Sequence, residues 1–238
     1  MKLDDSKFTA VMDRVAEALK ADPHHRLLSW DHAWEHWNSF AKVQEGDESL
    51  AALHLAFYLA SWGMYRGSSD LLFRDYKVLV PTVNFLKIQA AEKKWEDCIF
   101  DETQEPEELA QSLDKLSVGL SAKLQEKLAR PDKSQVNVSD TLLSKILLNT
   151  LGCVPAFDTE VKGALRDLFG TNYPTGNGFD EKRLVTTIKL ARANAKLVQD
   201  ARDSLKEKTG KQYPLTKVLD LYLWHHGFDL PRKTKSDA

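Results

Sequence analysis

The chain is poor in the features that announce a named chemistry. It has two cysteines, Cys98 and Cys153, in 238 residues. Two thiols that far apart build neither a disulfide framework nor a metal-binding spacing. Seven histidines give no third zinc ligand at a convincing place, and no metal or other cofactor is expected. The formal net charge is only −2, which excludes a polyelectrolyte chain. The longest apolar run, residues 50–65, is broken by His54 and Ser61 and falls short of a bilayer span. Asp4, Asp5 and Lys7 interrupt the N-terminus before a signal core can form. No alternating strand pattern, internal repeat, Gly-rich nucleotide loop, serine-nucleophile elbow or zinc-finger spacing occurs. The expectation is a cytoplasmic protein in a reducing compartment, without a membrane segment.

What is present is helix. Phe8, Val11, Met12, Val15 and Leu19 recur at helical spacing. Trp30, Ala33, Trp34, Trp37 and Phe40 form a second stripe, read as a buried seam. Residues 50–64 are apolar nearly all round and predict the central, most buried helix. Further helices are predicted over 70–76, over 82–95 with Val83, Leu86, Ile88 and Ala90 inward, and from Pro106 to Leu128. One long helix is expected from Phe179 to a stop at Gly210, with Leu205 its last inward residue, and a last one from Leu215 to His226. The fold class is all-α, a globular domain of about nine or ten helices. Residues 96–108 hold seven acids and no base. They read as a linker between an N-terminal lobe, 1–95, and a C-terminal lobe, 109–230, with a frayed tail over 231–238.

The stretch 139–169 is the most particular. Ser139 and Asp158 are N-cap types, and Gly152 is a natural stop for the first of two helices. Between them Cys153, Val154, Pro155, Ala156 and Phe157 predict a short buried turn, with Lys145 and Asp158 as its nearest charges. A second candidate site lies at Tyr65, Arg66, Ser68 and Ser69, where an arginine and two serines precede a predicted helix start able to hold an anion. The third is a basic strip of Lys189, Arg192 and Lys196 in a C-terminal third carrying 15 bases against 10 acids. His32-Ala33-Trp34-Glu35-His36 matches an inverted zinc-protease string, but the tryptophan seam accounts for this helix and no tight zinc is expected.

Leu151-Gly152-Cys153-Val154 resembles the turn of the helix-hairpin-helix DNA glycosylases, whose lyase members use a Lys and an Asp. Pro155 departs from that pattern where a second glycine would donate an N–H, so no catalytic role is carried over. Residues 60–69 together with 151–158 resemble an uncharacterised bacterial family of all-helical proteins of about this length. That resemblance implies a shared fold and a bacterial cytoplasmic setting, and no activity. Three readings follow. The first is a binding module for a phosphate-bearing small molecule or nucleic acid. The second is an enzyme with Lys145, Asp158, Arg66 and His54 meeting in a cleft. The third is a protein-docking domain without a small ligand. A protein partner is not legible in the sequence.

Overall fold

The computed structural model describes residues 1–66, 70–129, 136, 138–175 and 179–231. Among these residues there are ten α-helices and no strand. They are α1 (Asp5–Ala21), α2 (Leu28–Lys42), α3 (Glu48–Ser61), α4 (Val80–Glu92), α5 (Pro106–Leu128), α6 (Asp140–Thr150), α7 (Thr159–Phe169), α8 (Glu181–Ala193), α9 (Ala195–Thr209) and α10 (Leu215–Phe228). The all-helical expectation holds, and no described helix is long and apolar enough to cross a membrane. Several starts are fixed by local chemistry. The side chains of Asp4, Asp47, Ser139, Asp158 and Asp180 each accept a backbone N–H from the first turn that follows.

The central helix is α6, not α3. Every residue from Leu142 to Thr150 is buried, and α6 touches α2, α3 and α5. By contrast, α3 turns Leu53 and Phe57 to the surface, at 44% and 55% exposure. A helix apolar all round need not be enclosed all round, because soluble proteins leave much apolar area in water. Ile88 of α4, expected inward, is likewise exposed. The tryptophan stripe of α2 is the seam expected of it: Trp30, Trp34 and Trp37 are all buried, and Trp30 stacks on Trp34 at 5.1 Å.

Two further expectations are corrected. The long helix from Phe179 breaks at Asn194 into α8 and α9. The amide of Asn194 accepts the Leu3 N–H at 2.8 Å and donates to the carbonyls of Met1 and Leu190. A buried asparagine that satisfies backbone groups from another segment competes with the helix ladder. The helix predicted over 70–76 is replaced by two short 3₁₀ turns, Leu71–Phe73 and Tyr76–Leu79, with Asp70 in the left-handed region. The acidic stretch is fastened to the body. Trp95, Cys98 and Ile99 are buried, and the Asp97 N–H reaches the Gly152 carbonyl at 3.1 Å. The Asp97 carboxylate accepts the Thr216 N–H at 2.8 Å.

The closest helix pair is α7 with α10. A methyl group on Gly227 would stand 1.9 Å from the Glu160 carbonyl oxygen, so the two backbones touch there. Gly227→Ala should therefore force the helices apart and cost about 1–3 kcal/mol in chemical denaturation. On the facing helix a methyl on Gly163 meets nothing nearer than 4.0 Å. Gly163→Ala is expected to stabilise by up to about 1 kcal/mol through helix propensity alone.

Candidate active site

The turn between α6 and α7 is held from three sides. The Ser144 hydroxyl accepts the Phe157 N–H at 2.8 Å, and Thr141 donates to the Phe157 carbonyl at 3.1 Å. From α10, Asp220 accepts the Ala156 N–H at 2.9 Å. Gly152 opens the turn with a φ of +59°. That left-handed backbone is strained for a side chain, and a methyl there would also crowd Trp34 at 3.1 Å.

Asp158, at the end of this turn, does two things. Its Oδ1 accepts the N–H groups of Glu160 and Val161, both at 3.1 Å, as the cap of α7. Its Oδ2 receives the Lys145 ammonium at 2.9 Å. Lys145 is buried in α6 and Asp158 is nearly so. A second buried pair, Lys217 with Asp220 at 2.8 Å, lies one helix away on α10. Tyr58 of α3 is fully buried near both pairs. Burial pushes its hydroxyl well above the ordinary tyrosine range, and the carboxylates of Asp220 and Asp158 add to that. Tyr58, Lys145, Asp158, Lys217 and Asp220 line a small inner space of about 10 Å³, room for roughly one water molecule.

This inner centre adjoins a larger open pocket of about 390 Å³, with which it shares Trp62, Lys145, Asp158 and Trp224. Arg26, Met64, Arg66, Thr141, Thr159, Glu160 and Phe228 complete the walls. The size suits a small-molecule site, about 300–1,000 Å³. Its aromatic wall is ordered. Trp62 and Trp224 meet edge to face at 5.9 Å, and Trp224 stacks on Phe228 at 5.2 Å and 14°. Cations gather on Trp62: the Arg26 guanidinium lies 4.5 Å from the ring centre, Lys145 5.1 Å and Lys217 5.8 Å. Both lysines are neutralised by their aspartates. Arg26 is exposed and makes no ion pair among the described residues.

Of the sequence candidates, Arg66, Lys145 and Asp158 therefore line one pocket. Tyr65 is half-buried outside it, and its hydroxyl finds no hydrogen-bond partner among the described residues. Ser68 and Ser69 lie outside the described residues, and the helix start that would have given them N–H donors is not formed. The basic strip is elsewhere and engaged. Lys189 pairs with Glu107 at 2.8 Å, Arg192 donates to the Gln104 carbonyl at 2.8 Å, and Lys196 pairs with Asp200. His54 does not join the cleft. It stacks on His36 of α2 at 4.1 Å, and no group of three metal-ligating side chains occurs among the described residues.

Arg26, Trp62, Lys217, Asp220, Trp224 and Phe228 were not candidates from sequence. One signal was available: Lys217, Asp220, Trp224 and Phe228 recur at three- and four-residue steps on one face of α10.

No protein-family model, no curated protein and no solved structure matches this chain. Of the family resemblance, the all-helical fold is what stands.

Asp158 gives a stability prediction with a built-in control. Asp158→Asn keeps the cap but strands the Lys145 charge, and should cost about 3–5 kcal/mol in denaturant unfolding. Asp158→Ala should cost about 1 kcal/mol more for the lost cap. Adding Lys145→Met to Asp158→Asn should recover part of the loss, because no buried charge is then unpaired. An asparagine variant as stable as the parent would refute the pair's role.

His225, next to Trp224, gives a pH prediction. Burial, and then Arg14, pushes the imidazole down to about 4, and its Nε2 is buried without a hydrogen-bond partner among the described residues. Its folded pKa lies below the unfolded value of about 6.5. Stability from the neutral ring is thus fully present above pH 6.5, is lost as pH falls toward 4, and levels off below that. His36 and His54, also pushed down chiefly by burial, act in the same sense. Thermal midpoints across this window should fall on acidification, and less steeply in His225→Phe.

Proposed function

We propose that the chain binds a phosphate-bearing ligand in the pocket bounded by α3, α6, α7 and α10. The observation that carries this reading is Arg26. It is an exposed guanidinium, lying over the Trp62 ring at the pocket wall and without an ion-pair partner among the described residues. A guanidinium held over an aromatic ring can still present a fork of donors to an oxyanion, a task in which arginine outperforms lysine. Arg66 lines the same pocket and adds a second positive charge. Lys145 contributes position rather than net charge, since Asp158 cancels it. This reading does not use Lys189, Arg192 or Lys196.

An enzyme is the second reading, and the inner centre favours it. Two buried Lys–Asp pairs and a buried tyrosine carry a desolvation cost, and such a titratable cluster next to an open pocket is the kind of place where chemistry is found. In that reading Lys145 and Asp158, which face both compartments, would touch the substrate, while Lys217 and Asp220 would position the turn through Ala156.

Calorimetric titration with inorganic pyrophosphate and sugar phosphates tests the first reading. Arg26→Ala should weaken the best binder by about tenfold or more, the worth of a charge-assisted hydrogen bond, without lowering thermal stability. An unchanged affinity in Arg26→Ala would sink it.

A further inference from the structure

We infer that the ligand is a nucleotide unit, held with its base against the Trp224–Phe228 stack and a single phosphate at Arg26 and Arg66. This inference rests on the phosphate reading above and narrows it.

The aromatic wall is the independent observation. Phe228 ends α10, is 49% exposed and lies parallel to Trp224. Trp224 is itself only partly buried, and Trp62 closes the corner at right angles to it. Three aromatic side chains thus line one open pocket whose rim carries two exposed arginines. A free phosphate has no apolar face to set against such a wall, and a sugar phosphate offers C–H groups but no planar π face. A nucleobase has one, and stacks on tryptophan and phenylalanine with little regard to sequence. Arginine beside the rings adds guanidinium stacking to its phosphate contact.

Charge sets the number of phosphates. Among the described residues the pocket lining carries Arg26, Arg66 and Lys145 against Asp158 and Glu160, a formal sum of +3 − 2 = +1. The rim therefore suits one phosphate better than the crowded charge of a triphosphate. The same unit occurs free, as a mononucleotide, or within a single strand. In a duplex the base is stacked on its neighbours and cannot enter the pocket without being turned out.

The test is quenching of tryptophan fluorescence, with calorimetry as a check, on the full chain. The probes are nucleoside monophosphates, the matching nucleosides, ribose 5-phosphate, ATP, a short single-stranded oligonucleotide and its duplex. A monophosphate or the single strand should bind at least about tenfold more tightly than ribose 5-phosphate. The single strand binding more tightly than the mononucleotide would identify a strand as the source, and equal binding a free nucleotide. Phe228→Ala removes a half-exposed ring at a helix end, and a thermal melt of the variant checks that the fold is kept. The substitution should cost about tenfold for the nucleotide and leave ribose 5-phosphate binding unchanged, whereas Arg26→Ala should weaken both. If ribose 5-phosphate binds as well as nucleotides, or Phe228→Ala binds them normally, this inference fails and the phosphate reading survives. If nucleosides bind as well as nucleotides, or no probe binds, both fail.

Discussion

The structure around the pocket depends on one carboxylate with two obligations. Asp158 must accept the first N–H groups of α7 with one oxygen and the Lys145 ammonium with the other. The cap fixes where α7 begins. The ion pair fixes how far α7 stands from the buried helix α6. Neither contact alone would do both, because a cap is satisfied by any nearby oxygen and an ion pair tolerates many orientations. Together they fix the turn from its C-terminal end, and Ser144, Thr141 and Asp220 fix it from within.

That fixed turn explains why the pocket can be polar without collapsing. Burying two lysines would ordinarily be opposed by desolvation. Here each has an aspartate at hydrogen-bond distance and an indole ring beside it. The rings of Trp62 and Trp30 supply negative π faces to the two ammonium groups while excluding water. The close approach of α7 and α10 at Gly227 brings the second pair and the Trp224–Phe228 wall to the same place. A rigid floor and a partly open aromatic wall are what a binding site needs, and the arginines at the edge are the part left exposed.

Much of the scaffold was legible. Each N-cap aspartate or serine names a helix start through a contact only two or three residues long, and Gly152 and Gly210 mark backbone that only glycine adopts readily. The stripe Trp30–Trp34–Trp37 faces the core, as its three- and four-residue spacing predicts. The misreadings share a different cause. Asn194 breaks a helix because of Leu3 and Met1, and α3 exposes Phe57 because its neighbours cover only one side of it. Residues 70–76 coil as 3₁₀ turns, although local pattern suggested an α-helix.

Local sequence sets most of the helices, the side-chain caps of several, the buried seam and the turn at residues 152–158, since these depend on neighbours within a few positions along the chain. Lys145 and Asp158 could be paired in thought because they flank that turn. Tertiary structure alone decided the pocket. Arg26 precedes α2, Trp62 follows α3, Lys145 lies on α6, and Trp224 and Phe228 lie on α10. Nothing local relates these segments. Their meeting follows from the packing of α7 on α10 and of α6 among α2, α3 and α5, which is a property of the whole core. It is this packing that turns an ordinary loop arginine and a terminal phenylalanine into the edge and wall of one pocket.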